Sequence, residues 1–489
     1  VTSAPLPRWR PLIAVVTGPT ATIVNTPPIG ADPNALHPQR LASPLTAEAE
    51  PASVHPLASP SAAEGAGDNA SPLRMLGAGS LLPLPHPEPL AGDAQTFFPS
   101  AERLYEEIDS FDLDESGRSR VLSRRADFEF FRAGPPAGYD HEGEIAGVDY
   151  FPYGDTPRRA EPDFSALLRI TNTVQSIADG RVDAIQWLEG TPVIEETLYW
   201  LSLLIDTGKP IVGQVAQRMH RTIGSDGPKN LLDGVTYIAS KAWQAGDPTE
   251  NGGDTVGPVL VTDGLVFTAR EVVKTASRPG GYTAAGFGPV AAITTEERQR
   301  VEFLPTRRHT SRSEVRTSAL PETVEGLRGR VAVRKAGGEL LTGILAAVEI
   351  VKYGRYGLGG DSSLDGHLIR ERTRLSRERH DLSGFVLEGL AQNGWATIEL
   401  ERELRFAHYS GLPVVWTGRG IPAAPAGLPP APFISADGLS STKARILLLA
   451  AMLRHGSAPV AADPAEPTDA ERTATLEHTR LLQHLFDTH

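Results

Sequence analysis

Cysteine is absent from all 489 residues, which excludes disulfides, thiolate nucleophiles and cysteine-ligated zinc, and leaves the redox compartment open. Near the N-terminus the one apolar run, Pro11–Val16, is too short and too early for a secretory core or a membrane span. Charge of one sign is not gathered anywhere. The net charge of −13 is spread along the chain, so neither nucleic acid nor a membrane is expected as a partner. A cytoplasmic location is expected. No glycine-rich dinucleotide fingerprint follows a strand, so no nicotinamide or flavin cofactor is implied. The 13 histidines never take the helical spacing of zinc proteases, and His141-Glu142-Gly143-Glu144 reads as a solvated loop, so no metal is expected. A 40% apolar and 22% charged composition is that of a soluble globular chain, long enough for at least two cores.

What is present is organised around Asp183–Arg218, DAIQWLEGTPVIEETLYWLSLLIDTGKPIVGQVAQR. It reads as a buried strand, a turn at Gly190-Thr191-Pro192, a helix opening on Ile194-Glu195-Glu196-Thr197, and a second strand at Pro210–Val215. Both glutamates fall in the helix's first turn, where the macrodipole favours carboxylates, and Leu198, Leu201 and Ile205 recur at helical spacing. Such a βαβ unit places its chemistry at the carboxyl ends of its strands, which marks Thr191.

Upstream, Leu12–Val16 reads as a strand running into a turn at Thr17-Gly18-Pro19-Thr20. From about Asn25 to Pro99 the chain turns to Pro, Ala, Ser and Gly without a sustained period, as an irregular loop does. A short helix is expected at Ala101–Asp109, a strand at Ala126–Arg132 and a helix at Pro162–Asp179. Ser225 or Asp226 should cap the helix that Gly227-Pro228 opens, and Val259–Asp263 is a buried strand. Beyond Thr294, strands at Arg330–Val333, Phe385–Leu390 and Leu412–Thr417 and a helix at Ile398–His408 form a smaller α/β unit. Residues 353–381, polar and arginine-rich, read as a solvated excursion or an oligomer contact, and their Gly359-Gly360-Asp361 turn is too weak a pattern for a phosphate loop. A tail helix, Asp469–Phe486, is expected on the surface or on a neighbouring subunit.

The segment Gly190-Thr191-Pro192-Val193-Ile194-Glu195-Glu196-Thr197, with Gln214-Val215-Ala216-Gln217-Arg218 after it, resembles the asparaginase/glutaminase family's G-T-D-T, x-E-E-T and G-A-Q-R signature. Four more blocks follow in the family's order: Gly224–Leu231, Ala269–Thr275, Phe287-Gly288-Pro289, and Phe433–Ser440 with Lys443–Ala450. Together they cover most of residues 146–456. The resemblance implies an α/β fold class with a larger N-terminal doubly wound α/β catalytic domain, residues 1–295, in which 25–100 form an enlarged lid insertion. A linker at 296–325, a smaller C-terminal α/β domain at 326–456, and a linker with tail helix at 457–489 complete the expected organisation.

The same resemblance assigns a site. Thr20 becomes the nucleophile when the first turn is read without gaps; a small insertion would give that role to Thr22. Thr191 and Lys274 become the threonine–lysine pair of a second triad, with Lys274 expected to be buried and its proton affinity depressed by desolvation. Backbone N–H groups near Gly190-Thr191 would hold the oxyanion. Two positions depart from the family. Pro192 stands where the family's aspartate binds the substrate's amino group, and Asp155, followed by Thr156, stands where a serine binds its carboxylate. No tyrosine occurs between Thr20 and Tyr105, so the family's lid tyrosine is missing at its usual distance.

These departures favour an amidohydrolase acting on an amide or lactam other than free asparagine. Two alternatives stay open: an L-asparaginase or glutaminase with a rebuilt head-group site, and a non-catalytic relative that binds a ligand or serves as a structural subunit. The implied partners are a small-molecule amide substrate and further copies of the chain, as a homo-oligomeric dimer or tetramer.

Overall fold

A computed structural model describes residues 9–18, 126–132, 163–218, 224, 226–245, 253–284, 286–294, 299–354, 363–390, 394–420 and 431–489. The expected lid insertion at 25–100 and the expected helix Ala101–Asp109 lie outside the described residues.

Five parallel strands, β1 (Leu12–Thr17), β2 (Asp127–Arg132), β3 (Ala184–Leu188), β4 (Ile211–Gln214) and β5 (Val259–Thr262), are extended by antiparallel β6 (Leu265–Thr268) and β9 (Ala291–Ala292) in the order β2-β1-β3-β4-β5-β6-β9. Both faces of this sheet are covered, so its strands read as continuous apolar runs instead of alternating ones. In β1, Ile13 and Val15 pack on one face with Val235 and Ile238 of α3 (Gly227–Ser240). Ala14 and Val16 pack on the other face with α1 (Phe164–Asp179) and α2 (Ile194–Leu204). Asp163 caps α1 by accepting from Ala166 N at 2.9 Å. Gly213 lets α2 approach β4, since a Cβ there would stand 2.8 Å from Leu198 Cδ2.

The β3–α2–β4 crossover falls where the periodicity put it. α2 is buried almost all round, with Leu198 and Leu201 on the first sheet and Tyr199, Trp200, Leu203 and Leu204 in a second core. A helix apolar on every side belongs inside a protein.

That second core, to which the antiparallel hairpin of β10 (Thr323–Gly326) and β11 (Gly329–Ala332) contributes Val324 and Val331, lies between α2 and a parallel four-stranded sheet, β12 (Ala346–Lys352), β13 (Leu382–Glu388), β14 (Val414–Thr417) and β15 (Ile434–Ser435). Helices α6 (Ser441–His455) and α7 (Asp469–Thr488) complete it. Two expectations are corrected here. Within the stretch expected to be a solvated excursion or an oligomer contact, Ser363–Arg379 is instead helix α4, the crossover between β12 and β13, packed on α5 (Ile398–Tyr409). Its buried face is Ile369, Thr373 and Ser376, and the Thr373 hydroxyl is satisfied by Ile369 O at 2.8 Å, so the hydrophobic stripe is too thin to see in sequence. The tail helix α7 is not a surface appendage, because Leu482, Leu485 and Phe486 are fully buried in the second core. No helix among the described residues is long and apolar enough to cross a membrane.

Candidate active site

The carboxyl ends of β1 and β3 lie side by side, Thr17 registering with Leu188. Gly18 N donates to Leu188 O at 2.7 Å, and a Cβ on Gly18 would stand 2.0 Å from Glu189 Oε2. The first turn thus leaves β1 close against the buried Glu189 carboxylate and the Trp187 ring, which would have to shift to admit a side chain at Gly18. Thr20, Thr22, Asp155 and Thr156 lie outside the described residues.

Past β3 the chain turns at Gly190-Thr191-Pro192. Gly190 O accepts from both Val193 N and Ile194 N at 3.2 Å, starting α2. The exposed Pro192 fits this turn because the closing donors come from the two residues after it. Gly190 N donates to Glu189 Oε1 at 3.2 Å, so that donor is engaged by its own neighbour.

A short hairpin, β7 (Val273–Lys274) with β8 (Tyr282–Thr283), delivers the chemistry to Thr191. Lys274 Nζ donates to Thr191 Oγ1 at 2.8 Å. Its cross-strand partner Tyr282 donates from Oη to Thr191 O at 3.1 Å, fixing the threonine's backbone. Burial, with Glu195 nearby, pushes the Tyr282 hydroxyl's pKa up, so it remains a donor.

Glu195, in the first turn of α2, accepts from Lys274 N at 2.9 Å through Oε2. Burial raises its pKa, while Lys443 and the bond from Lys274 hold it down. The neighbouring Glu196 pairs with Arg445 of α6 at 2.5 Å.

The expectation of a buried Lys274 is corrected. Lys274 is half-buried, and the lysine that is fully enclosed is Lys443, 1% exposed, at the start of α6. Lys443 Nζ donates to Ala269 O at 2.6 Å, Arg270 O at 2.8 Å and Val272 O at 2.5 Å. Burial pushes its pKa down to about 7, opposed by Glu195 and Glu271. All three N–H donors of the ammonium are matched. Asp226, one of the two expected candidates, is the N-cap residue of α3, but its side chain makes no cap; its carboxylate instead accepts from Gln217 N at 2.9 Å and Arg218 N at 2.8 Å. It thus holds the segment after β4, a role that capping statistics do not reveal.

A cavity of about 280 Å³ is lined by Tyr199, Arg270, Glu271, Phe303 and His309 among others. Neither Thr191 nor Lys274 lines it, and its arginines are tied to Glu271, Asp437 and Glu314. The chemistry lies instead where the hairpin meets Thr191.

The structure thus brings together Thr191, Lys274 and Gly190 of the expected residues, with Pro192 beside them, and adds Glu195, Tyr282 and Lys443. Tyr282 carried a sequence signal, since Pro279-Gly280-Gly281 between short β-favouring runs marks a hairpin. Lys443 opens one of the resembling blocks, but nothing in the sequence marks it as buried or as part of the site, because a lysine in a helix's first turn reads as solvated.

Residues 160–307 match the family model described as asparaginase, N-terminal. The chain is asparaginase-like. An L-asparaginase of Bacillus licheniformis is 30% identical over 156 residues, 32% of this chain and 45% of that protein. A glutaminase-asparaginase of Pseudomonas fluorescens biotype A is 31% identical over 150 residues, 30% of this chain and 38% of its own. The chain therefore matches less than half the length of these curated relatives. In three dimensions the asparaginase-like chain aligns with a crystal structure described as a probable cytoplasmic L-asparaginase from Campylobacter jejuni, with a TM-score of 0.51 and 20% identity over 74% of this chain and 86% of the other. At that identity the likeness shows the α/β fold.

Proposed function

We propose that the chain is an amidohydrolase that cleaves a carbon–nitrogen amide bond through a threonine nucleophile, on an amide or lactam other than free asparagine. The observation that carries this reading is the 2.8 Å contact of Lys274 Nζ with Thr191 Oγ1, at the carboxyl end of a parallel strand and beside the end of β1. Thr20, two residues beyond Gly18, attacks the amide carbonyl. The C–N bond breaks as the leaving nitrogen takes the proton of the Thr20 hydroxyl, and an ester to Thr20 remains. Water then attacks that ester, and its proton passes by way of Thr191 and Lys274 to the Thr20 oxygen as the ester C–O bond breaks, giving the carboxylic acid and the free Thr20 hydroxyl. Thr191 N–H, which meets no acceptor among the described residues, is suited to the carbonyl oxygen as charge develops.

Substrate choice follows from the two replaced positions. Pro192 offers neither a carboxylate for an α-amino group nor a backbone donor, and Asp155 would repel an α-carboxylate unless a proton or cation intervened. In this reading the seven-stranded and four-stranded sheets are the larger and smaller domains, and the chain works as a homo-oligomer. The names of the relatives favour a second reading, an L-asparaginase or glutaminase with a rebuilt head-group site.

The test is ammonia or amine release from L-asparagine, L-glutamine, lactams and aryl or alkyl amides, by wild type and Lys274→Met. The expected result is turnover of an amide without the amino-acid head, reduced about a hundredfold or more in the variant. Preference for L-asparagine would select the second reading, and no release from any amide would overturn the hydrolase.

A further inference from the structure

We propose that Lys443 is a positioning residue for the Thr191–Lys274 pair, acting by clamping the 269–272 segment and by placing its charge beside Glu195. This rests on the amidohydrolase reading. A positive charge in the first turn of a helix opposes the macrodipole, and burying it costs further solvation, so packing alone does not favour a lysine here. Lys443 nevertheless spans from α6 to three carbonyls of one short segment, two residues before Lys274. Lys274 in turn gives its N–H to Glu195 and its Nζ to Thr191. One ammonium thereby fixes both the path of the chain into Lys274 and the field at the carboxylate that holds it.

The charged groups around this unit come from every packed element. Glu195 faces Lys443 from α6, Lys274 from β7, Tyr282 from β8 and Glu196 of its own helix. Lys443 faces Glu195 and Glu196 from α2, and Arg270 and Glu271 from the segment it clamps. Lys443 lowers the proton affinity of Glu195, against the dominant opposite effect of burial. On acidification Glu195 becomes protonated and holds Lys274 N–H less firmly, which gives the pH–rate profile an acidic limb.

The experiment uses the full chain with Lys443→Met, Lys443→Arg and Glu195→Gln. Glu195 protonation is followed by pH-difference infrared spectroscopy of its carboxyl band, assigned as the band lost in Glu195→Gln, and amide hydrolysis is followed against pH. In Lys443→Met the Glu195 midpoint and the acidic limb should both move up by about one pH unit. In the same variant kcat at neutral pH should fall about tenfold or more while KM changes by less than about threefold. Lys443→Arg should restore most of the limb, and Glu195→Gln should abolish it. An unmoved Glu195 midpoint, or a loss of melting temperature with an unmoved limb, would overturn the proposal and leave Lys443 a packing residue. Should Lys443→Met fail to fold, an acidic limb that persists in Glu195→Gln overturns it equally. If wild type hydrolyses no amide the function reading falls, and the infrared midpoint in Lys443→Arg and Lys443→Met alone decides whether Lys443 governs Glu195.

Discussion

The described residues include a seven-stranded sheet built on five parallel strands and a parallel four-stranded sheet, and the carboxyl edges of their parallel strands have opposite fates. At the edge of the first, the β3 turn presents Thr191 to a lysine and a tyrosine from a separate hairpin, with the threonine's N–H unclaimed among the described residues. At the edge of the second, the polar groups that end the strands among the described residues are held by neighbours. Glu388, ending β13, takes Ser441 Oγ at 2.7 Å and lies near Lys352 and Arg419. Thr417, ending β14, donates to Leu439 O at 2.9 Å, and the Ser435 backbone of β15 is bonded by Gln483 of α7 at 2.7 and 3.3 Å. Strand polarity alone therefore does not make a site. What matters is whether the polar groups at the strand end are left for a ligand or taken up by the chain's own side chains.

The sharpest way to break this comparison is Thr191→Ala. If the first edge is the reactive one, amide hydrolysis falls about a thousandfold while the urea midpoint stays near that of wild type. A large loss of stability with activity retained would reverse the roles of the two edges. Next comes Phe486→Ala in α7, which covers the second edge: removal of a fully buried ring should cost about 3–5 kcal/mol in urea unfolding. Acid should act through the buried histidines. Burial pushes His408, which holds Thr479 of α7 at 3.2 Å, down to about 3, and His309 down to about 4. The unfolded chain binds these protons near 6.5, so their contribution is complete above that pH and declines as pH falls toward 3–4. Between pH 6.5 and 5 each should remove about 2 kcal/mol, read as a falling urea midpoint that His408→Asn flattens. The smallest effect is expected for Glu388→Gln, about 1 kcal/mol of stability with hydrolysis unchanged.

The sequence made the first edge legible and left most of the second obscure. The β3–α2–β4 unit showed itself because strand, turn and helix are contiguous and each carries a local signal. Thr191 and Lys274 could be paired only through block order, since 83 residues separate them. Lys443 and Glu195 were not legible as parts of the site because their roles are fixed by contacts 171–174 and 79 residues away. Helix α4 is obscure in the sequence because arginines dominate its composition, while the buried face among its described side chains is Ile369, Thr373 and Ser376.

Helix α2 serves as wall to both cores at once, facing the first sheet with Leu198 and Leu201 and the second with Trp200 and Leu204. Heating or chaotrope should accordingly melt the described body in a single cooperative step, without a half-melted plateau. Either half expressed by itself would have to leave a tryptophan and several leucines in water, and should be recovered as aggregate.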